Sequence, residues 1–241
     1  MFDHVTIRVT DRKASEGFYD AVLVTLGLDK TRESEHFAAW GDFSLAQTSP
    51  EQPVTRRLHV AFVAPSRELV DEFWRVGTEA GFRDDGAPGP RPQYSPDYYG
   101  SFLLDPDGNS AEAVHREEGR RGPIDHVWIR VADLTASQRF YETVAPHTGF
   151  SLRSEGPDRG TFVSENGSFS VVQGTPTEHL HLAFSASENA TVDAFHRAAT
   201  EAGYRDNGPP GERPVYHPGY YGAFVLDPDG NNIEVVNHNR G

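Results

Sequence analysis

The sequence has no cysteine, so disulfides, thiolate metal sites, iron–sulfur clusters and thiol nucleophiles are excluded. Any metal site must be built from His, Asp, Glu, amide, backbone or water ligands. No long apolar run is present either. The longest, around Ala21 to Leu28, is far shorter than the roughly 20 residues a membrane-spanning helix needs. Positive charge is scarce: 22 Lys and Arg against 36 Asp and Glu, a formal net charge of −14. That argues against nucleic acid or an anionic membrane as the main partner, because phosphate binding calls for a basic surface. Met1 to Val9 runs straight into a strand pattern carrying Asp3 and Arg8. No signal peptide fits there, and a cytoplasmic protein is expected.

What is present is the composition of an ordinary globular chain of 241 residues, with 37% hydrophobic and 11% aromatic residues available for cores. Gly (23) and Pro (17) recur between patterned segments, which predicts many short elements joined by tight turns. An internal repeat decides the architecture. Asp3–Val9 (DHVTIRV) returns as Asp125–Val131 (DHVWIRV), and Phe18-Tyr19 as Phe140-Tyr141. Leu58–Phe62 (LHVAF) returns as Leu180–Phe184 (LHLAF), and Tyr98–Asn109 (YYGSFLLDPDGN) as Tyr220–Asn231 (YYGAFVLDPDGN). Each pair is offset by 122 residues, as from His4 to His126. The expected organisation is one module over 1–118, a linker at 119–123 within the charged EEGRRG stretch, and a second module over 124–241. A weaker repeat lies within each half. His4 and His59 are 55 residues apart, as are Phe18 and Phe73, His126 and His181, and Phe140 and Phe195.

His4–Val9 alternates as a strand should. Asp11 can cap a helix from about Arg12 to Leu26, with Gly27 as its stop. Strand-like stretches follow at Phe37–Trp40, Phe43–Gln47 and Leu58–Ala64. A second helix carries Leu69, Val70, Phe73, Val76 and Ala80 and ends at Gly81. Tyr99–Leu104 and Ala111–His115 then flank the DPDGN turn of a hairpin. The fold class predicted is α+β, built from βαβββ units, two per module.

Strand alternation decides which residues share a face. His4, Thr6 and Arg8 face away from the apolar set Val5, Ile7 and Val9. His59 shares a face with Ala61 and Val63, and Glu112 with Val114. A carboxylate between Ala111 and Ala113 is not what a plain buried strand needs. His126, His181 and Glu234 repeat the pattern. Two neutral imidazoles and one carboxylate suit a first-row divalent ion such as Fe(II), Mn(II), Ni(II) or Zn(II). Gln47 and Gln173 end matching strands and could add an amide oxygen or bind substrate.

The opening DHV, the helical Phe-Tyr, LHVAF/LHLAF and above all YYGAFVLDPDGNNIEVV at Tyr220–Val236 resemble the vicinal-oxygen-chelate superfamily, over essentially the whole chain, once per half. That superfamily includes glyoxalase I, extradiol dioxygenases, fosfomycin-resistance proteins and bleomycin-binding proteins. The resemblance implies paired βαβββ units curled into two open-cup modules in tandem. It implies ligands at His4, Gln47, His59 and Glu112, then at His126, Gln173, His181 and Glu234, either as His/His/Glu alone or with the glutamine as fourth ligand. Some family members build a site across two modules, so which strands close one cup stays open. Glu112 and Glu234 are the residues that could also move protons. Arg8 and Arg130 share the ligand face. Tyr94, Tyr99, Tyr216 and Tyr221, in RPQYSPDYYG and RPVYHPGYYG, are candidate substrate contacts. His217 stands only in the second copy, where Ser95 is its counterpart, and this favours the second copy if only one works. The function implied is a metal-dependent lyase or isomerase of glyoxalase type, or an extradiol-type dioxygenase, acting on a small oxygenated metabolite as a monomer or homodimer. The alternative is a binding protein that sequesters a small molecule such as an antibiotic without catalysis.

Overall fold

A computed structural model of the chain describes residues 2–117, 120 and 122–239. Glu118, Gly119 and Arg121, in or beside the expected linker, lie outside the described residues. The chain forms two compact units: Thr6–Trp128, and Met1–Val5 together with Ile129–Gly241. The divisions between these units fall inside two strands, β1 (Phe2–Val9) and β9 (Ile124–Val131).

In the Thr6–Trp128 unit, β1 leads into α1 (Arg12–Leu23), β2 (Arg32–Ser34), β3 (Phe37–Trp40) and β4 (Phe43–Gln47). There follow β5 (His59–Val63), α2 (Arg67–Glu79), β6 (Arg83–Pro90), β7 (Tyr99–Leu104) and β8 (Ser110–His115). Asp11 accepts from the Ala14 amide at 3.1 Å, so α1 starts where its cap dictates. After a single 3-10 turn it stops at Gly27, whose φ of +77° a side chain would resist. The strands run in the order β6-β7-β8-β5-β9 and, separately, β1-β4-β3-β2. β5 is parallel to β8 and antiparallel to β9. α2 packs on β6, β7 and β8, and α1 on β4. Phe18, Tyr19, Trp40, Phe43, Phe62 and Phe73 are fully buried.

The other unit repeats the plan with α3 (Leu134–Val144), β10 (Ser151–Glu155), β11 (Arg159–Ser164), β12 (Gly167–Gln173), β13 (His181–Ser185), α4 (Asn189–Glu201), β14 (Arg205–Glu212), β15 (Tyr221–Leu226) and β16 (Asn232–Asn237). Its strands run β14-β15-β16-β13-β1 and β10-β11-β12-β9. Phe2 packs on Phe150 and Phe184, with ring centroids 5.0 and 6.1 Å away.

Two repeated motifs turn out to be one structural knot. Asp105, in the turn between β7 and β8, accepts from the Asp107 and Asn109 amides, from Asn109 Nδ2 and from the Tyr19 hydroxyl. Asn109 in turn accepts from the Leu58 amide. Asp227, Tyr141, Asn231 and Leu180 repeat this. The knot ties the first helix of each repeat to the start of the strand that carries the second histidine.

The sequence reading placed no strand at β2, β6, β10 or β14. β6 (RDDGAPGP) and β14 (RDNGPPGE) are edge strands rich in Gly, Pro and charge, with register breaks against β7 and β15. Such a composition looks like loop, and only the ladder to a neighbour makes it a strand. Among the described residues no helix is long and apolar enough to cross a membrane.

Candidate metal centres

The strand registers bring the donors together. Ala61 on β5 sits opposite Glu112 on parallel β8 and opposite His126 on antiparallel β9. His59, two residues earlier on β5, shares that face. Ala61 is small and fully buried, so the long side chains on either side can meet above it. His59 Nε2 lies 3.0 Å from Glu112 Oε2 and 3.3 Å from His126 Nε2. His126 Nε2 lies 3.4 Å from the same Oε2. In the other unit Ala183 stands opposite Glu234, His181 Nε2 is 2.8 Å from Glu234 Oε2 and His4 Nε2 is 3.6 Å from it. The described residues hold these two groups of three metal-type donors, each within 4.8 Å of one another.

The grouping is not the one within each sequence repeat. His4 stands with His181 and Glu234, and His126 with His59 and Glu112. The cause is strand order: β1 is the neighbour of β13, and β9 of β5.

Acceptors stand beside Nδ1 of three of the four imidazoles. The Ser110 hydroxyl donates to Asp85 at 2.8 Å, so His59 Nδ1, 3.3 Å away, must donate to the Ser110 oxygen. His126 Nδ1 donates to Asp125 Oδ1 at 2.7 Å, and His4 Nδ1 to Asp3 Oδ1 at 2.8 Å. Each of these rings therefore turns its Nε2 toward the carboxylate. Two imidazole nitrogens and a carboxylate oxygen thus face one point in the His59 group. Donors about 2.1 Å from one ion stand about 3.0–3.4 Å apart, which is the spacing in the His59 group. The residues thus fit a divalent cation.

Further groups orient the carboxylates. Tyr98 donates its hydroxyl to Glu112 Oε1 at 2.5 Å, and Tyr220 donates to Glu234 Oε1 at 2.5 Å. Oε2 of each is left toward the histidines. Burial, then the adjacent carboxylate, pushes both phenols far above the ordinary tyrosine range, so they stay protonated donors. A Cβ on Gly100 would lie 2.6 Å from Glu112 Oε1, and one on Gly222 2.8 Å from Glu234 Oε1. The YYG motif therefore supplies a hydroxyl for the glutamate and the space beside it.

The two centres differ in access and in charge. The side chains of His59 and His126 are 8% and 4% exposed, against 24% for His4 and 19% for His181. Trp128 covers the first pair, its ring 5.0 Å from His59 and 5.9 Å from His126, and Tyr94 stands edge-on to Trp128 at 5.7 Å. The counterpart of Trp128 in the other repeat is Thr6. Burial opposes ionisation of Asp125, but His126, Arg120 and Arg116 outweigh it and hold its carboxyl at about 2. Burial likewise raises Asp3, and His4 and His238 outweigh it, leaving its carboxyl below the ordinary value.

Other residues singled out from the sequence lie elsewhere. The Gln47 amide hydrogens go to the backbone: Nε2 donates to the Val9 and Thr10 carbonyls. Gln173 Nε2 donates to the Val131 and Ala132 carbonyls, and its Oε1 accepts from the Leu134 amide at the start of α3. Tyr99 and Tyr221 donate to Asp71 on α2 and Asp193 on α4, on the helix side of their strands. Tyr94 and Tyr216 are exposed, their rings tilted against those of Tyr98 and Tyr220 at 5.0 and 4.8 Å. Arg130 is exposed, its stem beside Gly174, and Arg8 is half-buried, with its amide bonded to Thr55. His217 bonds His238. The sequence reading passed over Tyr98, Tyr220, Asp3, Asp125, Gly100 and Gly222, although the repeated DHV and YYG motifs contained them all.

Comparison with known proteins agrees with this picture. The model of the Glyoxalase/Bleomycin resistance protein/Dioxygenase superfamily matches residues 1–113 and 123–235. Among solved structures, the chain is similar to glyoxalase I from Zea mays at 20% identity and a TM-score of 0.68, covering 98% of this chain and 92% of that one. It is also similar to a putative dioxygenase from Bacillus subtilis subsp. subtilis str. 168 at 14% identity and a TM-score of 0.68, covering 100% and 86%. At such identities the likeness is one of fold. No curated protein sequence matches the chain.

Proposed function

The chain belongs to the Glyoxalase/Bleomycin resistance protein/Dioxygenase superfamily, and on that footing we propose that it is a divalent-metal-dependent enzyme of glyoxalase or dioxygenase type. Its substrate is a small metabolite with two neighbouring oxygens. The observation that carries this reading is the convergence of two His Nε2 atoms and one glutamate oxygen in each unit.

The reaction belongs to His4, His181 and Glu234, the more exposed set. A bound ion there supplies Lewis-acid stabilisation of negative charge developing on substrate oxygens. The protein's own residues do the rest. Tyr220 holds Glu234 Oε1, so Oε2 alone is turned inward, able to bind and to take a substrate proton. Asp3 keeps His4 in the tautomer that offers Nε2. Tyr216, exposed at the rim beside Tyr220, offers a hydroxyl and a ring to substrate. A second role is favoured for His59, Glu112 and His126: their burial under Trp128 suits a retained, structural ion.

The test is metal content per chain by elemental analysis, with turnover of catechols, vicinal diols and 2-hydroxy carbonyl compounds under air and under argon. Glu234→Ala should lower kcat/KM by roughly 100-fold or more, while Glu112→Ala keeps activity and loses one ion per chain. Turnover under argon places the chemistry with the isomerases and lyases, and strict oxygen dependence with the dioxygenases. A protein that takes up no divalent ion, or a Glu234→Ala variant as active as the parent, would refute the proposal. Tight small-molecule binding by the metal-free protein would instead favour sequestration.

A further inference from the structure

Arg213 follows directly on β14, at the head of the RPVYHPGYYG segment, and the chemistry proposed above gives it no task. Two glycines fix where its side chain lies. Gly211 on β14 pairs with Gly222 on β15, so the two would project a side chain to the same face. A Cβ on Gly222 would meet Glu234 Oε1 at 2.8 Å, and one on Gly211 would meet Arg213 Nη1 at 3.0 Å. The guanidinium therefore lies on the face of the sheet that carries Glu234. Phe224, two residues beyond Gly222, connects it to the metal centre. Phe224 is the register partner of Glu234, and its ring lies 6.1 Å from that of His181. The Arg213 guanidinium carbon sits over the same ring, 5.6 Å from its centre. One aromatic ring thus separates a cation from a donor histidine.

The partners of Arg213 leave its charge unmatched. Nη1 donates to the Glu212 carbonyl at 3.2 Å and Nη2 to the Pro209 carbonyl at 2.6 Å. Both acceptors are neutral. Among the described residues no carboxylate lies within ion-pair distance of it. Acidic residues outnumber basic ones by 36 to 22 in this chain, and Arg12, Arg75, Arg116 and Arg120 each reach a carboxylate. Arg213 instead is held in place by backbone and by a ring, and it is partly exposed. The remaining hydrogens of its fork are available to a ligand.

Arg91 repeats the arrangement in the other unit. It donates to the Pro90 and Ala87 carbonyls and lies 5.4 Å from the centre of the Phe102 ring, which is 6.0 Å from His59. There Trp128 covers the histidines, so Arg91 serves only to staple its strand. Arg213 stands beside the centre that substrate can reach.

We propose that Arg213 binds a carboxylate of the substrate, so that the more exposed centre takes an acid whose neighbouring oxygens meet the ion and whose carboxylate reaches past Phe224. A guanidinium is a permanent cation with a planar fork, and a single one suits a single carboxylate. This assignment rests on the metal reading given above.

The test is titration calorimetry of the Zn(II)-loaded protein with 3,4-dihydroxybenzoate and 3,4-dihydroxybenzamide. The two share the neighbouring hydroxyls and nearly the same size, and differ in the charge. The benzoate should bind roughly tenfold or more tightly than the amide. Arg213→Gln should erase this difference and leave the amide affinity unchanged, while Arg91→Gln should preserve the difference. Equal binding of benzoate and amide by the parent would overturn the proposal, whether or not the variants fold. So would an Arg213→Gln variant that weakens both ligands alike, which is the result a mere staple gives. A gain for 3-phosphoglycerate over glycerate, with none for the benzoate, would overturn the carboxylate in favour of a phosphate. A protein that takes up no Zn(II) would overturn the metal reading and this assignment together, whereas a loaded protein that binds both catechols equally overturns this assignment alone.

Discussion

The hydroxyl of Tyr220 donates to Oε1 of Glu234 over 2.5 Å, and Tyr98 repeats this contact with Glu112. A carboxylate with one oxygen tied to a permanent donor has only its other oxygen to turn toward the histidines. Tyr220→Phe removes that tie and little else, because the ring remains. Zn(II) affinity at one centre should fall roughly 10- to 100-fold, with an unchanged circular dichroism spectrum. Equal affinity in calorimetry would show that the phenol does not orient the glutamate.

Gly222 leaves the room that Glu234 occupies. A Cβ there would meet Oε1 at 2.8 Å and the Tyr220 ring at 3.2 Å. Gly222→Ala should therefore displace the carboxylate, costing about 1–3 kcal/mol of stability as overpacking does and weakening Zn(II) binding at that centre. Denaturant unfolding and calorimetry read the two effects separately. A variant with the parent's affinity would mean that the glutamate is not held where the ion binds.

Trp128 separates the two centres in accessibility. Trp128→Thr installs the residue of the other repeat and uncovers His59 and His126. Zn(II) should then leave the His59 centre faster, followed with a chromogenic chelator, in a Glu234→Ala background that removes the other ion. An unchanged release rate would assign the cover to other residues.

Asp227 gives a pH dependence of definite sign. Burial outweighs its accepted bonds from Asn231 and Tyr141 and raises its carboxyl to about 6, above the roughly 3.9 of an unfolded chain. The folded state then binds this proton more tightly. Its contribution is full below pH about 4 and is lost as pH rises through about 6, on the order of 3 kcal/mol in all. Urea unfolding at stepped pH should show stability falling over that window, and Asp227→Asn should flatten this part of the curve. A slope that persists in Asp227→Asn would assign it to other groups.

Side-chain type, repeat period and strand alternation are local properties, so the sequence alone determined much here. The tandem α+β units, the caps at Asp11 and Gly27, and the faces that carry His4, His59, Glu112 and their copies were all legible in it. Tertiary structure decided which strand lies beside which. β1 joins β13, and β9 joins β5, so each centre mixes donors from both repeats. No local pattern contains that choice, because the hydrogen bonds that make it link residues far apart in sequence. The same holds at smaller scale for Tyr98 and Tyr99. As adjacent residues entering a strand they point to opposite faces, one to Glu112 and the other to Asp71, and only the register of β7 on β8 says which is which. β6 and β14 became strands for a related reason: with Gly and Pro in place of strand-forming side chains, their order comes from the ladder to a neighbour.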